Sequence, residues 1–296
     1  MTRPVTMVAR NTLLLSSLVL CELAYAQSKT VTVTDGRPVA KAAEQLEAIY
    51  GIPITYDDPV AVHESQLQDV TEQVQRTPDS THRVIVQKDL TLSFEYKLPP
   101  STLSSTGEQE QTRQETEAAV ADALSSILDG YKASGGPVTF KVTEGDGIFH
   151  VVPTNFLSKE GKLEQTTPIL DTKITVLPKQ RSRIQLLVEI GELLSKTTGT
   201  AVGLGQFPFN LGSNQAQAIT EISGSDVTAR SLLSQLLAEM GAPITKEVTF
   251  DDPDGQSVTR TRVVWKGATL SWHLFYGPGW GYMLNIHGVD SVAKQN

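Results

Sequence analysis

The chain has 296 residues, of which 39% are hydrophobic and 20% are charged, and its formal net charge is −8. The apolar fraction is sufficient for a hydrophobic core and argues against wholesale disorder, collagen and coiled-coil architectures. The acidic balance argues against nucleic acid or an anionic membrane as the main partner. The single cysteine excludes an intramolecular disulfide framework and a cysteine-based zinc site.

Residues 1–26 are expected to form a secretory signal peptide. Two arginines precede a short apolar run over residues 13–20, and an A-x-A cleavage site ends at Ala26, so that Gln27 would begin the mature chain. A lipid anchor on Cys21 and an uncleaved anchor are the alternatives, although the leucine before the cysteine is bulkier than a lipoprotein signal requires. No second apolar segment follows, so we expect a soluble protein that is periplasmic or secreted.

The first predicted domain covers residues 27–156 and has the element order β-α-β-β-α-β-β. Its strands show alternation of apolar and polar residues, and its second helix opens with a capping-box pattern of threonine and glutamate three residues apart. The polar segment 99–112 is expected to be a mobile loop. The predicted elements are a strand at 31–33, a helix from Pro38 to Gly51, strands at 52–56 and 90–96, a helix from Thr112 to Gly135, and a hairpin with strands 138–142 and 148–152.

Residues 157–168 are predicted to be a linker, and residues 169–289 to be a second domain with the same order of elements, followed by a tail at 290–296. The second helix of this domain places apolar residues at every third or fourth position before a glycine that ends it. The predicted elements are strands at 174–176 and 200–202, helices from Ser182 to Gly199 and from Ala229 to Gly241, and a hairpin with strands 270–276 and 282–286.

Two acidic segments are interpreted as turns. Residues 251–255 (Asp-Asp-Pro-Asp-Gly) lack the glutamate that a calcium-binding EF-hand loop requires, so a hairpin turn is the favoured interpretation. Residues 57–59 (Asp-Asp-Pro) are interpreted in the same way.

This order of elements resembles the short N-terminal domain shared by secretins and TonB-dependent receptors. The segments that carry the resemblance are residues 51–59, 90–96 and 123–128 in the first half, and residues 222–229 with 232–241 in the second. The resemblance implies an α+β fold with two tandem domains, each of about two helices packed on small mixed β-sheets. It also implies a small periplasmic interaction domain, present twice. Insertions before the third strand and before the second helix of the first half depart from the family pattern, as does an extra segment at 246–266 in the second half.

No catalytic motif is found, and no cofactor or metal site is predicted, because the histidines lack metal-ligand spacing. The five histidines are His63, His82, His150, His273 and His287. Alternation favours an outward-facing position for His273 and His287 on the last hairpin, and a ligand or catalytic pair at these two positions is the alternative. This hairpin also concentrates aromatic residues, which either fill the core or bind a ligand. The binding candidates are Trp272, Tyr276, Trp280 and Tyr282, with Trp280 expected at the tip of the turn.

The function expected from the sequence is that of an exported, soluble, non-enzymatic interaction module of the bacterial cell envelope. Its partners would be envelope proteins bound through strand edges or helix faces, and not nucleic acid. One alternative is a carbohydrate- or peptidoglycan-binding protein that uses the aromatic hairpin. A second alternative is a hydrolase whose carboxylates carry no short motif.

Overall fold

The computed structural model describes most of the chain, and its fold is α+β. The described residues are 28–74, 83–98, 108–145, 147–208, 212–251, 257–265 and 267–289. The predicted signal peptide with its cleavage residues Ala26 and Gln27, most of the predicted loop 99–112, and the tail 290–296 lie outside them. No helix among the described residues has the length and apolar character to span a membrane.

The first half contains three helices and nine strands among its described residues. Helix α1 begins at a proline, whose missing N–H has no helical partner to lose at that position, and ends where Gly51 adopts a left-handed conformation (φ 68°). The elements are β1 (Ser28–Asp35), α1 (Pro38–Tyr50), β2 (Ile54–Asp57), β3 (Leu67–Asp69), α2 (Thr71–Val74), β4 (Ile85–Gln87), β5 (Leu90–Lys97), α3 (Glu108–Ala133), β6 (Phe140–Gly145), β7 (Ile148–Pro153), β8 (Asn155–Leu157) and β9 (Leu163–Gln165).

The second half contains three helices and nine strands in its described part. The predicted capping box at the start of helix α4 is confirmed, because Ser182 and Gln185 each cap the backbone N–H of the other. The elements are β10 (Lys173–Val176), β11 (Arg181–Ser182), α4 (Arg183–Thr198), β12 (Val202–Leu204), α5 (Gly212–Gln217), β13 (Ile219–Thr220), β14 (Gly224–Thr228), α6 (Ala229–Gly241), β15 (Ile244–Asp251), β16 (Ser257–Trp265), β17 (Leu270–Gly277) and β18 (Gly281–Gly288).

Both halves contribute to one six-stranded sheet with the order β12-β18-β17-β2-β7-β6. Each half supplies a three-stranded unit in which the strand after its first helix runs parallel to the second strand of its last hairpin. The two units join where β17 runs parallel to β2. The corresponding strands of the two units follow one another in the same order across the sheet but run in opposite directions. A half-turn about an axis that lies in the sheet and is perpendicular to its strands, with a shift along that axis, therefore relates the units.

This half-turn places the helices of the two halves on opposite faces of the sheet. Ile54 and Tyr56 of β2 pack in a core with α1 and α3, whereas Trp272 and Leu274 of β17 pack in a second core with α4 and α6. Phe275 of β17 packs against the first core. Because successive side chains of a strand point to opposite faces, β17 contributes to both cores.

Some predicted boundaries differ from the structure. Helix α3 begins at Glu108, so the capping-box Thr112 lies one turn inside it, and residues 108–112 are helical where a loop was expected. The predicted linker 157–168 contains β9, which pairs with β8 in a short hairpin. The long segment before β5 also holds β3, α2 and β4, which the sequence pattern did not indicate.

Candidate functional site

Three ionisable side chains converge on the face of the sheet that α1 covers. They are Glu47 of α1, His273 of β17 and His287 of β18, and their nearest ligand-type atoms all lie within 4.8 Å of one another. His287 Nε2 lies 2.7 Å from Glu47 Oε2, and Glu47 Oε1 accepts the backbone N–H of Ile54 at 2.7 Å. We call these three residues the Glu-His-His cluster.

The sheet topology brings these residues together. Glu47 lies on the inward side of α1, one turn after the buried Ala43. In β17, His273 points to the face opposite Trp272 and Leu274, and this face is covered by α1 instead of being open to water. The rings of His273 and His287 approach to a centroid distance of 4.6 Å. The prediction that both histidines face outward is therefore wrong for His273, which is 7% exposed.

His273 is held in its neutral form. Burial lowers its pKa to about 3, because the charged imidazolium would lose its hydration, and the neighbouring charges of His287 and Lys41 act in the same direction. Its Nε2 atom is buried and has no hydrogen-bond partner among the described residues. A neutral imidazole with a free ring nitrogen is the form that binds metal ions or accepts a proton.

A cavity of about 310 Å³ adjoins the Glu-His-His cluster and contains both histidines in its wall. Within this wall Lys41 forms an ion pair with Glu44 at 2.6 Å, and the Arg37 guanidinium lies 4.7 Å from the centre of the Phe275 ring. The cavity is lined by Asp35, Arg37, Ala40, Lys41, Glu44, Gln206, His273, Phe275, Asn285 and His287. Its polar lining suits water or a small polar ligand next to the histidines.

On the opposite face of the sheet, a second polar group lies at the joint between the halves. Arg230 of α6 donates to both carboxylate oxygens of Asp57, at 2.6 and 3.4 Å, and to Asp171 at 2.7 Å. Residues 57–59 are therefore not the turn that was predicted. Asp57 ends β2, and the neighbouring Asp58 is buried beside Arg37, with 2.5 Å between its Oδ2 and the Arg37 Nε.

The aromatic binding candidates do not form one surface. Trp272 is 1% exposed within the second core, and Tyr282 is also buried, with its ring 5.1 Å from that of Tyr276 at an angle of 64°. Trp280 lies at the predicted turn and is 48% exposed. It covers Gly277, where any side chain would collide with the indole ring. No aromatic ring of the described residues stacks on Trp280 to make a paired platform for a sugar.

The two histidines lie on one predicted hairpin and form a recognisable pair in the sequence, but Glu47 cannot be assigned to them, because it lies 240 residues from His287 and no short spacing connects it to the pair. One signal was available. Glu47 is a charged residue within the apolar stripe of α1, and a buried carboxylate requires a partner.

No protein-family model, curated protein or solved structure matches this chain. The resemblance of each half to the secretin and TonB-dependent receptor domain thus stays a prediction from the residue pattern.

Proposed function

We propose that the protein is an exported interaction module of the bacterial cell envelope that binds a partner protein by strand addition. The free edge of β6 would accept an extended segment of the partner. The signal peptide predicted from the sequence supports export. The six-stranded sheet supports the interaction role, because it is formed by edge-to-edge strand pairing and ends at the edge strand β6.

The pairing of β17 with β2, which joins the two halves, supports strand addition. In this pairing the edge strand of one three-stranded unit is added to the edge of the other. Strand β17 of the second half pairs with β2 of the first through a short register, His273 with Tyr56 and Leu274 with Asp57. The N–H of Asp58 extends the joint by donating to the Leu274 carbonyl at 2.8 Å. Two three-stranded units of this chain are therefore joined edge to edge by parallel strand pairing, with side-chain contacts on both faces of the sheet.

Strand β6 offers such an edge. Thr154 donates to the Thr139 carbonyl at 2.8 Å, so by alternation the backbone groups of Lys141 and Thr143 point toward β7, and those of Val142 and Glu144 point away from it. No strand of the described residues pairs with this outer side. Unpaired N–H and C=O groups in a row are the feature that strand-adding partners recognise.

The test uses a proline at the outer edge. Glu144 is exposed, and Glu144→Pro removes an outward N–H without removing a hydrogen bond to β7. The matched control, Glu144→Thr, retains the N–H. The tagged full chain and both variants are expressed in the native bacterium, cross-linked in the cell and isolated by affinity. We expect one envelope protein to accompany the unchanged chain and Glu144→Thr, and its recovery to fall at least about tenfold with Glu144→Pro.

Two outcomes would contradict the proposal. If the unchanged chain isolates no specific protein and stays monomeric at rising concentration in light scattering, the interaction role is wrong. If a partner is recovered equally with Glu144→Pro, the role stands but the β6 edge is not its site. Concentration-dependent association that is lost in Glu144→Pro would identify a second copy of this chain as the source of the added strand.

A further inference from the structure

We propose that the Glu-His-His cluster is a binding site for a divalent transition-metal ion, with Zn²⁺ as the best-matched ion. The site would take three protein ligands, Glu47, His273 and His287, and would leave a further position open toward the adjoining cavity. This inference is independent of strand addition at β6.

The donor atoms select the class of metal. Two imidazole nitrogens and one carboxylate oxygen suit Zn²⁺ and neighbouring transition metals, and zinc with two histidines and one glutamate keeps an open position for water. Ca²⁺ and Mg²⁺ require six or more ligands that are mainly oxygen, so the cluster does not suit them.

The geometry needs only a small adjustment to hold an ion. Ligands about 2.0–2.1 Å from a tetrahedral zinc lie roughly 3.3 Å from one another. The 2.7 Å hydrogen bond between Glu47 and His287 would open by about 0.6 Å as the ion replaces the shared proton, whereas the widest separation in the cluster, up to 4.8 Å, would close. The His287 side chain is partly exposed near the end of β18, so it has room to move.

The unpartnered nitrogen of His273 points to a ligand. A buried ring nitrogen normally finds a hydrogen-bond partner, because leaving it without one has an energetic penalty. Nε2 of His273 has none among the described residues, although the ring is only 7% exposed and lies beside the other two members of the cluster. An ion bound between the three side chains would use this nitrogen.

Neighbouring contacts are consistent with a preorganised site. The Ile54 N–H fixes one oxygen of Glu47, which leaves the other directed at His287. Hydrogen bonds of this kind hold metal ligands in orientation. Glu47 comes from the first half and both histidines from the second, so the site exists only where the two halves share the sheet.

The experiment is a calorimetric titration of the tag-free full chain with Zn²⁺, after removal of metal with a chelator. We expect one ion per chain with a dissociation constant of about 1 μM or tighter, and no comparable binding of Mg²⁺ or Ca²⁺. Loss of a residue that only supports a metal ligand typically weakens metal binding by about 10–100-fold. Because Glu47 and His287 would be ligands themselves, Glu47→Gln and His287→Gln should each weaken zinc binding by at least that factor. His63→Gln is the matched control, because His63 lies outside the cluster, and it should leave the affinity unchanged.

If the three side chains have only a structural role, the folded protein should not bind Zn²⁺. Circular dichroism shows whether each variant is folded. His287→Gln changes the most accessible member of the cluster, so it provides the test if Glu47→Gln does not fold. The absence of Zn²⁺ binding at about 100 μM would overturn the proposal. Unchanged affinity in folded His287→Gln, or equal loss in His63→Gln, would also overturn it.

Discussion

The two faces of the six-stranded sheet carry buried polar groups of opposite kinds where β17 pairs with β2. On the face that α6 covers, Arg230 satisfies both carboxylate oxygens of Asp57 across the joint between the halves. On the face that α1 covers, the Glu-His-His cluster leaves His273 Nε2 without a partner, and a cavity lies beside it. The ion pair on the first face connects the two halves, whereas the second face has an unpartnered ring nitrogen beside a cavity, which are the features that a ligand requires.

The largest expected effect comes from removing Arg230, the charged partner of the buried Asp57. Arg230→Ala leaves Asp57 buried without its counter-charge, and we expect the free energy of unfolding to fall by about 3–5 kcal/mol in urea denaturation followed by circular dichroism. The matched control is Lys173→Ala, which removes the exposed ion pair between Lys173 and Asp226 and should change stability by less than about 1 kcal/mol. Equal effects in the two variants would show that Asp57 and Arg230 do not stabilise the joint.

A change on the other face should have the opposite sign. His273→Leu replaces an unpartnered buried nitrogen with an apolar side chain of similar reach, so we expect the metal-free protein to gain up to about 1 kcal/mol. The same denaturation experiment measures this gain, and calorimetry should show that zinc binding is lost. A substantial loss of stability in metal-free His273→Leu would mean that the histidine has a structural partner.

The smallest effect is expected at the tip of the hairpin that begins with β17. Trp280 is half exposed and covers a glycine, so Trp280→Ala should change the free energy of unfolding by no more than about 0.5 kcal/mol. Trp272→Ala removes a fully buried ring on the same strand pair and should cost about 3–5 kcal/mol. Similar losses in the two variants would contradict the distinction between a core tryptophan and a surface tryptophan.

Local signals in the sequence predicted the four longer helices, α1, α3, α4 and α6, and the hairpins β6-β7 and β17-β18. The capping box at Ser182 and the glycine after α1 satisfy backbone groups within a few residues, and the proline at the start of α1 removes an N–H that would lack a helical partner. Their effects can therefore be deduced from neighbours in the chain. The apolar stripe of α6 predicted its buried face in the same way. The α+β fold class follows from these elements.

The joint and the cluster could not be predicted because they depend on pairing over more than 200 residues. Alternation along β17 indicates that His273 and Trp272 point to opposite faces, but it does not show that α1 covers the histidine face. Asp57 and Asp58 are residue types typical of a turn. In the fold they are buried, because Arg230 of α6 pairs with Asp57 and Arg37, just before α1, pairs with Asp58. The residue pattern therefore predicted individual helices and hairpins, whereas the pairing of strands in the sheet determined which distant side chains come into contact.

The most direct test of the central claim is the visible absorption of Co²⁺ bound to the tag-free protein. Cobalt in a low-symmetry site of two imidazoles and one carboxylate absorbs more strongly than the hydrated ion. We predict such a spectrum, saturating at one equivalent, for the unchanged chain, and its loss in both Glu47→Gln of the first half and His287→Gln of the second. A spectrum that persists in either folded variant, or that never forms, would contradict a metal site built at the joint.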